Sequence, residues 1–203
     1  MTGPGLGPRI HGPRAFLVRH GDTEWSLTGQ HTGRTDIPLT DDGREQAKRL
    51  GARLAREQFA RVLVSPLVRA RETARLAGFG DVAEVDPDLA EWDYGAYDGR
   101  TAVEIRQERP GWTPWAGGFP GGETLEDVAD RADRVVARVR AVDGDVALFA
   151  HGHILRVIAA RWLEQPPVEA SRYYLATASL SVLAWERGTA VIDRWNETCH
   201  LES

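Results

Sequence analysis

Short runs of apolar residues recur along the chain and predict the strands of a sheet. Each run is short enough for a strand and ends in a polar or glycine-containing segment. The last two runs lie on either side of the turn signal Arg187-Gly188, so we expect them to pair with each other. The predicted strands are residues 15–18, 61–64, 82–85, 146–150, 178–185 and 190–195.

The segments between these runs have features that are typical of helices. Thr40 is expected to cap a helix that carries two aspartates in its first turn, near the positive end of the helix dipole. The Ser-Pro pair at 65–66 predicts a second helix that runs to about residue 77, because proline suits a first turn. The clearest helix has apolar residues at helical spacing over 125–139. Further helices are predicted over 101–108 and 154–163.

The alternation of strands and helices predicts the fold class. We expect an α/β protein in which a mostly parallel sheet has helices on both faces, a three-layer α/β/α sandwich. The 203 residues are enough for one well-buried domain and too few for two comfortable ones. Residues 15–203 are therefore predicted to form a single domain, and the Gly- and Pro-rich residues 1–14 a flexible tail.

Composition and charge narrow the class of protein. The net charge of −5 argues against general affinity for nucleic acid, and the longest uncharged, mainly apolar run, 173–185, is too short to span a membrane. A single cysteine, Cys199, excludes an intramolecular disulfide. The start of the chain lacks the apolar core of a signal peptide, so we expect a cytoplasmic protein. Lys48 is the only lysine among 25 basic residues, so an anion site must use arginine or histidine.

Cationic and titratable residues follow three of the predicted strands. Arg19 and His20 follow the first strand, Ser65 and then Arg69 follow the second, and His151 follows the fourth. In open α/β sheets, ligands bind beyond the carboxyl ends of the strands. The pattern alone therefore predicts that these side chains meet at one edge of the sheet and form the functional site.

Two histidines and two arginines suit a phosphoryl group better than a metal ion. Arginine binds phosphate oxygens with paired hydrogen bonds and would repel a cation. An unprotonated imidazole nitrogen can attack phosphorus, and a protonated second histidine would neutralise charge on the equatorial oxygens. The leaving alkoxide needs a proton from a carboxylic acid, for which Glu91 is the candidate and Asp93 and Asp98 are alternatives. We expect neither a metal nor a cofactor.

Five motifs follow one another along the chain in a characteristic order: FLVRHGDTEWS at 16–26, HTGRTDIPLT at 31–40, SPLVRARETA at 65–74, LAEWDYGAYDG at 89–99 and FAHGH at 149–153. Together they resemble the signature of the histidine phosphatase superfamily, also called the phosphoglycerate mutase-like fold. The resemblance extends from about Ala15 to Arg194. It implies His20 as nucleophile, with the other catalytic positions at Arg19, Arg69, Glu91 and His151.

Six further residues are expected to bind substrate. Gly21 and Ser26 belong to the first motif, and the loop that contains Thr32 and Gly33 is expected to supply donors from the opposite wall. The predicted helix after His151 has its amino end toward the same pocket, where free N–H groups attract anions. That position makes two more candidates, His153 and Arg156.

Differences from the glycolytic mutases of the superfamily favour hydrolysis. Those mutases usually have Asn at the positions of Ser26 and His153, and an insertion with a lysine and an adjacent arginine pair. Here Glu91 and His151 are sixty positions apart, and no adjacent arginine pair lies between them. The motifs are more similar to the phosphatases, including those that act on sugar bisphosphates such as sedoheptulose bisphosphate. The resemblance implies a phosphomonoesterase for small phosphorylated metabolites such as sugar phosphates or bisphosphates.

Two alternative functions stay open at this point. A cofactor-dependent phosphoglycerate mutase would use the same histidine but return the phosphoryl group to its substrate. A non-enzymatic module would only bind a phosphorylated ligand. The expected partner is a small phosphorylated metabolite; neither nucleic acid nor a membrane is expected, and a homo-oligomer is left open.

Overall fold

Six strands form one sheet in the computed structural model, which describes residues 12–202. Residues 1–11 of the predicted tail lie outside the described residues. The order of strands across the sheet is β3-β2-β4-β1-β5-β6. The strands are β1 (Ala15–Arg19), β2 (Arg61–Val64), β3 (Ala83–Val85), β4 (Val146–Ala150), β5 (Leu180–Glu186) and β6 (Thr189–Glu197).

The first four strands are parallel to one another, β5 pairs antiparallel with β1, and β6 pairs antiparallel with β5. β4 pairs with β1 on one side and with β2 on the other, and β5 and β6 form a hairpin beside β1. Val18 of β1 and Val64 of β2 both lie opposite Phe149 of β4. The three strands therefore end at the same level, and the residues that follow them meet at one edge of the sheet.

Seven α-helices connect and cover the strands within the described residues. Thr40 caps α2 as predicted, because its hydroxyl accepts a hydrogen bond from Gly43 N–H. α6 begins with a reciprocal pair in which the side chains of Thr124 and Asp127 each bond the other's backbone N–H. None of the helices within residues 12–202 has the length and apolar character needed to cross a membrane. The helices are α1 (Glu24–Thr28), α2 (Asp41–Leu54), α3 (Val68–Ala74), α4 (Ala102–Glu108), α5 (Pro114–Gly117), α6 (Leu125–Arg140) and α7 (Gly152–Trp162).

Alternate residues of the central strands pack into two separate hydrophobic clusters. In β1, Leu17 belongs to the cluster beneath α6 and α7, whereas Phe16 and Val18 belong to the cluster beneath α2 and α3. β4 divides in the same way, with Leu148 on one side and Phe149 on the other. Both faces of the sheet are therefore covered by helices, which confirms the predicted three-layer α/β fold.

The largest differences from the predicted elements lie near residues 65–79. α3 begins at Val68 and not at the Ser-Pro pair, because the Ser65 hydroxyl is directed to His151 and accepts from Leu67 N–H. The helix continues after Ala74 as a π-helical turn, Arg75–Phe79.

Two short helices, α1 and α5, were not predicted. Each is one turn long and depends on local capping by a threonine.

Candidate active site

A cavity of about 230 Å³ opens at the carboxyl edge of the sheet. Seven of the eleven candidate residues line it: Arg19, His20, Ser26, Thr32, Glu91, His153 and Arg156. The other four do not line it: Gly21, Gly33, Arg69 and His151.

His20 presents one unprotonated ring nitrogen to this cavity. The side chain is 4% exposed, and its Nδ1 lies 2.7 Å from the carbonyl oxygen of Gly21. A carbonyl only accepts hydrogen bonds, so the proton of the neutral ring is on Nδ1 and Nε2 keeps its lone pair. Burial, and then the charges of Arg69 and Arg19, hold the pKa of His20 well below its ordinary value of 6.5. The ring is therefore a neutral nucleophile at neutral pH.

Arg19 lies beside His20, and its guanidinium has N–H donors that make no hydrogen bond within the described residues. Its Nη1 donates to the carbonyl of Leu175 at 2.6 Å, while its Nε is buried and has no hydrogen-bond partner within the described residues. The guanidinium lies against the start of α7, 3.5 Å from where a Cβ on Gly152 would be. A buried guanidinium with an unused donor is a strong site for an anion, because an unsatisfied buried donor is costly.

The second predicted histidine, His151, is neutral and fully buried next to His20. The two imidazole centroids are 5.2 Å apart. Arg69 Nε donates to His151 Nδ1 at 3.0 Å, so the ring proton is on Nε2, which donates to Ser65 Oγ at 2.7 Å. Burial and the charge of Arg69 hold the pKa of His151 well below 6.5. Its arrangement here therefore differs from the protonated histidine that the sequence suggested.

Arg69 holds a loop of the cavity wall from the inside. The side chain is 0% exposed and donates to the carbonyls of Thr32, Gly33 and Thr35. From the other side, the Asp98 carboxylate accepts from the N–H groups of Gly33 and Thr35 and from the Thr35 hydroxyl. Two of the three carbonyl acceptors of Arg69 therefore belong to the candidate residues Thr32 and Gly33, and the catalytic role of Arg69 stays a prediction.

Glu91 is anchored at the amino end of α7. The side chain is 4% exposed; its Oε1 accepts from the N–H groups of Trp92 and Ile154, and its Oε2 accepts from that of His153. Two of these donors belong to the first turn of the helix, where carboxylates are stabilised by the helix dipole. Oε2 accepts only one of the three bonds and so has more free hydrogen-bonding capacity than Oε1.

The carboxylates of the two alternative acids, Asp93 and Asp98, make hydrogen bonds and ion pairs that hold nearby loops. Asp93 Oδ1 accepts from Gly95 N–H, and its Oδ2 faces Arg34 at 3.7 Å. Asp98 clamps the loop described above. Neither lines the cavity, whereas Glu91 does.

Two predicted substrate-binding residues are engaged in local packing. Gly21 lies against α2 so closely that a Cβ there would be 2.4 Å from the Gly43 carbonyl oxygen, and its N–H donates to Thr73. Ser26 lines the cavity, but its hydroxyl exchanges hydrogen bonds with the backbone of Thr23 at the start of α1. Their roles in binding stay predictions.

His153 and Arg156 both reach the cavity from α7. His153 Nδ1 is hydrogen-bonded to the Tyr94 hydroxyl, and burial holds the pKa of His153 well below 6.5. The Arg156 guanidinium stacks 4.7 Å above the ring of Trp115. Its Nε and one Nη donate to the backbone carbonyls at 170 and 171. The remaining Nη of Arg156 can donate a hydrogen bond to a ligand.

The cavity also contains residues that the sequence reasoning missed. Tyr94 and His31 lie within recognised motifs, three positions after Glu91 and one before Thr32, so the motifs held a signal for them. Tyr174 is 69% exposed at the cavity and was missed because no local pattern marks the segment that carries it.

Among residues 12–202 the fold also brings together one unpredicted set of possible metal ligands. Ligand atoms of Glu197, Cys199 and His200 lie within 4.8 Å of one another. Arg53 donates to the Glu197 carboxylate, and its positive charge opposes a cation there. None of these residues lines the cavity.

Comparison with known proteins gives concordant results. A family model for the histidine phosphatase superfamily (branch 1) matches residues 15–198. The chain is 43% identical over 187 residues to an acid phosphatase of Mycobacterium tuberculosis, covering 90% of this chain and 91% of that protein. It is 38% identical over 183 residues to a sedoheptulose 1,7-bisphosphatase of Saccharomyces cerevisiae, covering 74% and 67%. The solved structure of a Mycobacterium tuberculosis open reading frame product matches with a TM-score of 0.85 and 41% identity, covering 92% and 98%.

Proposed function

Because the chain belongs to the histidine phosphatase superfamily and is a phosphatase, we propose that it hydrolyses phosphomonoesters of small metabolites through a phosphoryl group carried on His20. The observation that carries this proposal is the state of the His20 ring. Gly21 O holds the proton on Nδ1, and Nε2 makes no hydrogen bond within the described residues and faces the cavity. A buried neutral imidazole with a free lone pair is what attack on phosphorus requires.

In the first step, His20 Nε2 attacks phosphorus and the P–O bond of the ester breaks. The unused donors of Arg19 bind the phosphoryl oxygens and stabilise the charge that they carry in the transition state. The bonding electrons go to the leaving oxygen, which takes the proton from Glu91 Oε2 and departs as an alcohol.

In the second step, water attacks phosphorus and the N–P bond breaks, returning its electrons to His20 Nε2. The Glu91 carboxylate accepts the proton of the attacking water, so the acid of the first step acts as the base of the second. Inorganic phosphate leaves, and both residues return to their starting states.

His151 and Arg69 support this chemistry from behind the cavity wall. Because Arg69 Nε donates to His151 Nδ1, the ring proton of the second histidine is on Nε2 and is donated to Ser65 Oγ. We assign Arg69 to holding the cavity wall through Thr32 and Gly33 and His151 to packing against the ring of His20, with Arg19 as the arginine that reaches the phosphoryl group.

Cavity size and the relatives support small sugar phosphates as substrates. A volume of about 230 Å³ is below the range of about 300–1,000 Å³ that is usual for drug-sized ligands. One relative is a sedoheptulose 1,7-bisphosphatase, and Arg156 adds a second positive group to the cavity. We therefore include sugar bisphosphates in the proposed substrate class.

The test is to trap the intermediate on wild-type protein and on a His20→Ala variant. Wild type is allowed to react with a labelled sugar phosphate and the reaction is quenched rapidly; the protein is expected to carry acid-labile phosphate and to release inorganic phosphate. His20→Ala is expected to do neither, and its turnover should be lower by several orders of magnitude. His200→Ala is the matched control, because this histidine also donates to a carbonyl but lies outside the cavity. Activity of His20→Ala within tenfold of wild type would refute the proposal, and transfer of the label to a second sugar would indicate a mutase.

A further inference from the structure

His31 is fixed in the cavity wall by three aromatic rings. Its imidazole makes edge-to-face contacts with Tyr94, Trp112 and Phe119, at centroid distances of 5.1, 5.4 and 5.8 Å. Such contacts from three sides define the plane and the direction of the ring. The side chain is half-buried and lines the cavity.

The protonation of this ring is determined by the backbone of the neighbouring loop. His31 Nδ1 lies 2.8 Å from the carbonyl oxygen of Arg100, which can only accept a hydrogen bond. The proton of the neutral ring is therefore on Nδ1, and Nε2 is an acceptor. Within the described residues Nε2 has no hydrogen-bond partner, and it is not enclosed by protein, so it is open to the cavity.

The two rings nearest the open side of His31, those of Tyr94 and His153, are uncharged. Beside the effect of burial, the more distant charges of Glu91 and Asp98 raise the pKa of His31 and that of Arg106 lowers it. The His153 ring lies nearly parallel to that of His31, at an angle of 7° and with centroids 6.3 Å apart, and the Tyr94 ring contacts both histidines edge to face, with its hydroxyl hydrogen-bonded to His153. Burial lowers the pKa values of both histidines below 6.5, so both rings are neutral at pH 7. The ring nitrogen of His31 therefore differs in kind from the guanidinium groups of Arg19 and Arg156, which bring positive charge to the same cavity. A neutral acceptor suits a hydroxyl group and does not attract an anion.

We propose that His31 is a specificity-determining residue that accepts a hydrogen bond at Nε2 from a hydroxyl group of the leaving alcohol. The preferred substrates are then phosphate esters of polyols and sugars over phosphate esters of simple alcohols. This inference rests on the phosphatase function proposed above and adds to it the chemistry that recognises the leaving group. A site built around such a contact discriminates against an analogue that lacks the hydroxyl, because the acceptor is left unpaired.

The experiment compares two substrates that differ only in hydroxyl groups, glycerol 1-phosphate and n-propyl phosphate. kcat/KM is measured for both with wild type, His31→Phe and His31→Gln. Phenylalanine keeps the ring contacts and removes the acceptor, and the Arg100 carbonyl still receives the backbone N–H of residue 31 at 2.9 Å. Glutamine places an amide oxygen near the position of Nε2 and so restores an acceptor.

Wild type is expected to prefer glycerol 1-phosphate. In His31→Phe the ratio of the two kcat/KM values is expected to fall by roughly three- to tenfold, as for the loss of one neutral hydrogen bond, and His31→Gln is expected to recover part of it. An equal ratio in wild type and His31→Phe, with phosphate still released, would overturn this inference alone. No phosphate release from either substrate by wild type would refute the proposed function, and this inference with it.

Discussion

Replacing Glu91 with glutamine separates its proposed role as an acid from its role in holding α7. The amide oxygen can keep the two bonds from Trp92 and Ile154, but the amide nitrogen then faces the N–H of His153. One backbone donor is left without an acceptor in a buried position. The free energy of unfolding should therefore fall by about 1–3 kcal/mol, which thermal or urea denaturation can measure.

The kinetic loss should depend on the leaving group. General acid–base catalysis typically contributes about 10²- to 10⁴-fold, or about 2.7–5.4 kcal/mol of barrier. A sugar alkoxide needs the proton, so Glu91→Gln should lose that much kcat/KM on sugar phosphates. Nitrophenolate leaves without protonation, so the loss on p-nitrophenyl phosphate should stay below roughly tenfold. We use kcat/KM because it reports the first phosphoryl transfer.

Glu123→Gln is the matched control. Its carboxylate also accepts a backbone N–H, that of Asp93, and it pairs with Arg131 outside the cavity. That variant should lose stability while the ratio between the two substrates stays at the wild-type value. Equal losses of Glu91→Gln on both substrates would refute the assignment and leave Glu91 a structural anchor, with Asp93 the next acid to test.

Three further results are expected. Arg156→Ala should raise KM for sugar bisphosphates and narrow their advantage over monophosphates, with little effect on p-nitrophenyl phosphate; a uniform change across all substrates would mean that Arg156 only packs on Trp115. Excess EDTA should not lower phosphatase activity, since guanidinium and imidazole groups neutralise the phosphoryl charge; a loss that Mg²⁺ restores would contradict this. Burial lowers the pKa values of His20, His151 and His153, so the unfolded chain binds more protons than the folded one below about pH 6.5. Tm should therefore fall as pH drops from 7 to 5, and a Tm that rises over this range would contradict the assignment of neutral rings.

The sheet and the edge that carries the site were predictable because they follow from local pattern. The apolar runs before Arg19 and His151 are strands at the predicted positions, and parallel pairing brings their ends together. Hydrophobic periodicity also identified α6, which begins at the predicted residue. The position of a residue directly after a buried strand therefore contained most of the information about where it lies.

The direction of a side chain was not predictable in the same way. Arg69 and His151 were expected to face the phosphoryl group. In the structure Arg69 Nε donates a hydrogen bond to His151 Nδ1, and neither residue lines the cavity. This depends on the rotamer of Arg69 and on the carbonyls of a loop that is distant in sequence. Tyr174 reaches the cavity because the chain before β5 returns beside β1, where Ala178 N–H donates to the carbonyl of His20. Such contacts arise from tertiary packing and leave no local signal.

The rigidity of the loop at residues 32–35 limits the range of substrates that the cavity can accept. Arg69 bonds three of its carbonyls, and Asp98 bonds two N–H groups and the Thr35 hydroxyl. A wall that is already ordered costs no conformational entropy when a substrate binds, a saving of about 0.5–1.5 kcal/mol for each side chain that would otherwise be immobilised. The same order prevents the wall from reshaping around a bulkier alcohol. Adaptation to larger metabolites would therefore proceed by shortening side chains that face the cavity, while this stretch of backbone stays the same.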